Sequence, residues 1–210
     1  MSIPTLASYP MPSQPPQNRV QWPLEASRAV LLIHDMQHYF LNKYDRHSEP
    51  IPTLIQHIQQ LKARCAELGI PVIYTAQPTE QAPEQRGLLT DFWGLGLSDP
   101  QYADQQAVID ELAPAENDRL QTKWRYSAFY GSDMRATMAN WQRDQLIITG
   151  IYAHIGCLTT ALEAFMDNIQ SFFVLDALAD FSLEDHLMAS RYVAQRCGKV
   201  ITTAQTLQQL

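Results

Sequence analysis

No apolar run in these 210 residues approaches the roughly 20 needed to span a bilayer, so no membrane-crossing segment is expected. Cysteine is scarce. Cys65, Cys157 and Cys197 are odd in number and widely spaced, which suggests neither a disulfide framework nor a zinc site with paired ligands. Two of them read as core residues on helix faces. Positive charge is short as well: 15 Lys and Arg against 22 Asp and Glu give a net charge of -7, which argues against a nucleic-acid or anionic-membrane partner. A local basic pocket can still hold an acidic metabolite. The segment Met1 to Gln21 is rich in Pro and Gln and lacks the apolar core of a signal peptide, which favours the cytoplasm. Residues 1–25 read as an N-terminal arm wrapping the rest. Apart from that arm there is no low-complexity block, and there is no internal repeat and no dividing linker. One domain over residues 1–210 is therefore expected, of ordinary soluble composition with 46% hydrophobic and 18% charged residues.

What is present is alternation. Ala29 to Ile33 is a short apolar run ending in polar His34 and Asp35, as a buried parallel strand reads at its carboxyl end. From Pro52 to Leu68 the residues Leu54, Ile55, Ile58, Leu61, Cys65 and Leu68 recur at helical spacing, and Gly69 with Pro71 stops the pattern. Strands are predicted at Val72 to Tyr74, around Leu120 to Lys123, at Gln145 to Thr149, Phe172 to Leu175 and Val200 to Thr202. Helices are predicted near Asp133 to Gln142, Cys157 to Asn168 and Leu183 to Cys197. The polar, Gly-containing stretch from Pro78 to about Pro114 is too long for a passive connection and reads as a lid. This order predicts an α/β, three-layer parallel sheet of about six strands with helices on both faces. Sites in such sheets lie beyond the carboxyl ends of the strands, where Asp35, Gln77, Lys123 and the Gly150 to Cys157 turn map.

Several segments then converge on one family: His34-Asp-Met-Gln37, Tyr74-Thr-Ala-Gln-Pro78, Gln85-Arg-Gly-Leu-Leu89, Asp91-Phe-Trp-Gly94, Thr122-Lys-Trp-Arg-Tyr-Ser-Ala-Phe129 and Gly150-Ile-Tyr-Ala-His-Ile-Gly-Cys157. Together they resemble the isochorismatase family over nearly the whole chain, nearest to the isochorismatases of catecholate siderophore synthesis, and Ala177-Leu-Ala-Asp-Phe-Ser182 continues the likeness. The resemblance implies hydrolysis of isochorismate to pyruvate and 2,3-dihydroxy-2,3-dihydrobenzoate without a cofactor. It also implies a homodimer, an aryl-carrier or synthetase protein as partner, and a non-proline cis peptide at Ile151-Tyr152. Some siderophore members carry a C-terminal aryl-carrier domain. No serine attachment motif of that kind occurs before Leu210, so the sequence reads as a stand-alone enzyme or a lone catalytic domain.

The chemistry of an enol ether fits these residues. Protonating the terminal methylene carbon creates an oxocarbenium ion that water captures, so one acid is the minimum requirement. Asp35 is the expected acid, and the resemblance points to the same residue. A carboxyl with an ordinary value of about 3.9 must gain its proton to act, and the two substrate carboxylates together with desolvation by Trp93 push in that direction. Lys123 is expected to orient Asp35 and balance charge, and Arg86 to offer a planar fork to a carboxylate. Gln77, Tyr126 and Tyr152 complete the candidate substrate-binding set. Gly156 permits close backbone approach, and the N–H groups of the Tyr152 to Gly156 turn favour an anion.

Blander readings stand beside these. An Asp ending a strand is commonly a cap, a lone Lys or Arg is commonly a surface residue, and Trp93 and Tyr152 can simply fill the core. His34 and His154 read as hydrogen-bonded structural residues. Asp35, Lys123 and Cys157 also reproduce the Asp, Lys and Cys triad of the related cysteine hydrolases, including nicotinamidases, in which a thiolate at a helix N-terminus is the nucleophile. The surrounding motifs favour isochorismatases, leaving Cys157 as a spectator or an alternative nucleophile. Asp45, His47 and His57 are loosely similar to a nicotinamidase zinc site, but their spacing argues for no metal. The amino analogue 2-amino-2-deoxyisochorismate, of phenazine synthesis, remains a second substrate candidate.

Overall fold

The segment Ala29–His34 is buried at every position, and a strand apolar on both faces needs a covering layer on each side. The computed structural model, which describes residues 3–210, supplies both layers. Six parallel strands, β1 (Ala29–His34), β2 (Val72–Ala76), β3 (Arg119–Thr122), β4 (Gln145–Ile151), β5 (Gln170–Ala179) and β6 (Gly198–Ile201), form one sheet in the order β3-β2-β1-β4-β5-β6. The chain winds outward from β1 in one direction and from β4 in the other. The switch point between β1 and β4 is where such a sheet opens a crevice at its carboxyl edge.

Among the described residues eight α-helices accompany the strands: α1 (His38–Leu41), α2 (Ile51–Leu68), α3 (Pro83–Arg86), α4 (Leu89–Trp93), α5 (Met134–Asn140), α6 (Leu158–Met166), α7 (Leu183–Arg196) and α8 (Thr203–Gln209). Successive strand side chains point to opposite faces. Leu31, Ile33, Tyr74 and Phe172 therefore pack with α2 and the N-terminal segment, and Val30, Leu32, Ile73 and Phe173 pack with α5, α6 and α7. Full burial of each such aliphatic side chain contributes about 1.5–3 kcal/mol. The predicted three-layer architecture is thus the observed one. Helix α2 turns Leu54, Ile58, Leu61 and Cys65 to the sheet and ends at Gly69 in the left-handed region, where the Ile70 N–H bonds to the Cys65 carbonyl at 2.9 Å. Among the described residues no helix is long and apolar enough to cross a membrane.

Residues 3–28 hold no helix and almost no ladder pairing. They are fastened by hydrogen bonds from the Leu6 N–H to the Lys43 carbonyl (2.7 Å), from Tyr9 to Glu49 (3.0 Å) and from Arg19 to Ala194 (3.0 Å). The first two residues of the expected arm lie outside the described residues.

The structure corrects several boundaries. Strand β5 runs on to Ala179, because its register against β4 shifts between Ile148 and Gly150 and the carboxylate of buried Asp176 accepts from the Thr203 N–H and hydroxyl. Helix α6 begins at Leu158, after a single π-helical turn at Ala153–Cys157. The stretch read as a lid is a packed wall: it carries α3, α4 and three short 3-10 turns, and buries Leu97, Ile109 and Leu112.

Candidate active site

Asp35 follows β1 with a φ of 51°, a left-handed conformation uncommon for a residue with a side chain and frequent at functional positions. Its backbone N–H reaches the Thr75 carbonyl at 3.2 Å, and its Oδ1 accepts from the Thr75 hydroxyl at 2.7 Å. Lys123 follows β3, and its Nζ donates to Asp35 Oδ2 at 2.6 Å. The two side chains are 7% and 3% exposed, so this is a buried ion pair. Beneath it, the His34 Nδ1 lies 2.6 Å from the Ile151 carbonyl. Burial, with the Lys123 charge also opposing protonation, pulls this imidazole down to about 4 despite neighbouring Asp35, so at neutral pH it is uncharged. Gly156 presses against the ring: a Cβ there would stand 2.2 Å from the His34 Cε1. No side chain fits.

A pocket opens over this pair. All the predicted site residues except Cys157 line it: Asp35, Gln77, Arg86, Trp93, Lys123, Tyr126, Tyr152 and Gly156. Gln77 is positioned by Gln37, whose Nε2 donates to the Gln77 carbonyl (2.9 Å) and whose Oε1 accepts the Gln77 N–H (2.8 Å). The Trp93 indole donates to the Tyr126 hydroxyl at 2.9 Å. Phe181 stands edge-on to both Tyr152 and Trp93, with ring centroids 4.7 Å and 6.0 Å away. These rings give the pocket an apolar, aromatic wall.

Arg86, at the end of α3, is 4% exposed. Its Nε donates to the Gly94 carbonyl at 2.5 Å, and one terminal nitrogen donates to the Gln81 Oε1 at 3.3 Å. Among the described residues no carboxylate lies within 4.0 Å of it, so the guanidinium enters the pocket without a counter-ion. Burial depresses its affinity for protons, with Tyr39 working against this and the Arg125 charge adding to it, yet an arginine keeps its charge at neutral pH.

The turn after β4 has the expected cis peptide at Ile151-Tyr152. Its N–H groups are less available to an anion than the sequence suggested. Those of Ile155 and Cys157 both bond to the Tyr152 carbonyl at 3.2 Å, and that of His154 bonds to Asp180 at 2.6 Å. His154 also pairs through its ring with Asp180; burial disfavours the imidazolium, but the carboxylate outweighs it and holds the residue above its ordinary value. Cys157 is fully buried, on the sheet face occupied by α5, α6 and α7. Burial, reinforced by Asp35 and Asp180, pushes its thiol well above the ordinary value. That is the opposite of an activated thiolate.

Asp45 closes a local turn by accepting from the His47 N–H and the Ser48 hydroxyl, while His57 bonds to the Asp176 carbonyl at 2.7 Å. Among the described residues no group of three or more His, Cys, Asp or Glu side chains is placed to hold a metal. The pocket also contains residues that the sequence reading passed over: Ile3 from the N-terminal segment, Tyr39 and Phe40 from α1, Leu89, Ile155 and Phe181. The available signal for α1 was its adjacency to His34-Asp-Met-Gln37.

An isochorismatase-domain family model matches residues 29–205. The chain belongs to the isochorismatase family. It is 53% identical over 212 residues to an isochorismatase of Bacillus subtilis, covering all of this chain and 67% of that protein. Enterobactin synthase component B of Escherichia coli K12 is 48% identical over 99% of this chain and 73% of its own length. Phenazine biosynthesis protein PhzD1 of Pseudomonas aeruginosa is 46% identical over 98% of this chain and 99% of its own. Among solved structures, a cysteine hydrolase from Pseudomonas syringae superposes with a TM-score of 0.79 at 23% identity, covering 92% of this chain and 96% of that one. That likeness shows the isochorismatase-like fold alone. The chain is accordingly a hydrolase of the isochorismatase family, as its motifs implied.

Proposed function

We propose that this isochorismatase-family hydrolase cleaves the enol-ether bond of isochorismate, giving pyruvate and 2,3-dihydroxy-2,3-dihydrobenzoate in a catecholate siderophore route. The observation that carries the reading is Arg86, a buried cation without a carboxylate partner, facing an aromatic-walled pocket that also holds the Asp35–Lys123 pair. Leaving such a charge uncompensated is strongly unfavourable, so the pocket favours an anionic ligand with an apolar body. Isochorismate is a ring dianion of that description.

In the proposed reaction Asp35, carrying a proton once substrate is bound, delivers it to the terminal methylene carbon, which becomes a methyl group. Water adds to the resulting oxocarbenium carbon and returns a proton to the Asp35 carboxylate. The hemiketal then collapses: the bond from the former enol carbon to the ring oxygen breaks, the ring oxygen leaves as a hydroxyl, and pyruvate is released. Lys123 orients Asp35 and faces substrate charge. Cys157 is a spectator, a role supported by its full burial outside the pocket lining and its raised thiol. The 46% identity to a phenazine biosynthesis protein keeps 2-amino-2-deoxyisochorismate as the second reading, since the two substrates differ by one small polar group.

Purified protein offered isochorismate, 2-amino-2-deoxyisochorismate and nicotinamide in parallel tests these readings. Pyruvate from isochorismate with the highest kcat/KM is expected. Preference for the amino analogue would move the assignment to the second reading, and ammonia from nicotinamide without pyruvate would defeat both.

A further inference from the structure

Tyr39 is 1% exposed, yet its hydroxyl has no hydrogen-bond partner among the described residues. An orphaned buried hydroxyl is unfavourable, and native folds keep few of them without a reason. Tyr74 shares this property and differs in place: its ring lies under the Lys62 ammonium, 5.2 Å from the centroid, and does not line the pocket. The Tyr39 ring does line it, beside Arg86. Its orientation is fixed by edge contacts with Phe40 and Tyr102, each at 5.0 Å between centroids, and by the Lys43 ammonium at 5.3 Å. Burial raises the Tyr39 phenol above its ordinary value, so at neutral pH it keeps its proton and can donate it.

Arg86 is equally fixed. Besides its bonds to Gly94 and Gln81, its guanidinium lies flat against Gly96, where a Cβ would come within 2.5 Å of a terminal nitrogen. Tyr39, a donor without an acceptor, and Arg86, a cation without an anion, thus line the same pocket as neighbours, and one carboxylate answers both.

We propose that Tyr39 is a substrate-binding residue whose hydroxyl donates to the carboxylate held by Arg86. The assignment rests on the reading of this pocket as the isochorismate site and adds a residue to it. It makes the wall built by α1 and α3 a carboxylate clamp, separate from the Asp35–Lys123 pair that faces the reacting carbon.

Tyr39→Phe removes one oxygen and breaks no hydrogen bond of the free protein. With isochorismate as substrate and pyruvate as readout, KM should rise about tenfold or more with kcat little changed, while Tm stays level or rises. Tyr74→Phe, the control, should leave both kinetic constants unchanged. Calorimetric titration with 2,3-dihydroxybenzoate, a stable ring carboxylate, reads the same clamp without turnover, and its affinity should fall by a similar factor in Tyr39→Phe. Unchanged KM and unchanged affinity in Tyr39→Phe would overturn the assignment. Wild type that binds 2,3-dihydroxybenzoate but releases no pyruvate would overturn the proposed reaction instead, leaving the titration to decide Tyr39. Wild type that does neither would overturn both.

Discussion

Lys123 and Arg86 are both buried cations on one pocket, but Lys123 meets the Asp35 carboxylate at 2.6 Å, whereas Arg86 has no carboxylate within 4.0 Å among the described residues. The first sits at the carboxyl end of β3, held by the sheet. The second sits on α3, in a wall of short helices, fastened through backbone carbonyls and glycine contacts. The contrast separates two uses of charge. The sheet-borne pair is complete without ligand and, in the proposed reaction, carries the chemistry; on the same reading the wall-borne cation is completed by what binds.

Removing one partner should therefore act differently at the two corners. Lys123→Met leaves the buried Asp35 carboxylate uncompensated and should destabilise the fold by roughly 3–5 kcal/mol, seen as a fall in the urea midpoint, together with loss of pyruvate release. A level midpoint would mean that the pair is not the buried unit described.

Acid should weaken the fold next most strongly. His34 and His186 are both drawn down to about 4 by burial, against about 6.5 for an unfolded histidine. Between those values the unfolded chain binds protons that the fold refuses, so stability rises with pH there and is lost as pH falls from about 6.5 to about 4, by up to about 3 kcal/mol per residue. His154, held above its ordinary value by Asp180, works in the opposite sense and offsets part of this. Urea midpoints at pH 7, 6 and 5 check the sign, and a flat profile would contradict neutral burial of the two histidines.

At the other corner, Arg86→Met removes a cation that nothing in the free protein neutralises. Stability should stay level or rise, while KM for isochorismate rises on the order of a hundredfold. A large loss of stability with unchanged KM would erase the contrast between the two corners.

How far these corners can be read in the sequence follows the same division. Strands β1, β2 and β4 and helix α2 were legible because Ala29 to Ile33, Val72 to Tyr74 and Gln145 to Thr149 are short, mostly apolar runs and the Leu54 to Leu68 pattern is long and periodic. Asp35 and Lys123 followed as residues at strand ends, with the family motifs raising them above neighbours of the same type. The wall was not legible. Helices α3 and α4 are only four and five residues long, too short for a period, and they stand through tertiary contacts such as the Arg86–Gly94 bond. Gln37 reaches Gln77 across 40 residues and Tyr39 lines the pocket from α1, so their one local mark is the His34-Asp-Met-Gln37 motif that holds the first and adjoins the second. Helix α8 is a different miss. Its Thr202 and Gln205 form a capping box that the spacing alone discloses, with the Thr202 hydroxyl accepting from the Gln205 N–H at 3.2 Å.

Pyruvate release from isochorismate by Cys157→Ala, with Asp35→Ala and wild type alongside, tests the central claim most directly. Acid-driven enol-ether cleavage predicts near wild-type release from Cys157→Ala and a loss of about a hundredfold or more in Asp35→Ala. Abolished release in Cys157→Ala, with the variant still folded, would contradict the account and make the buried thiol the nucleophile.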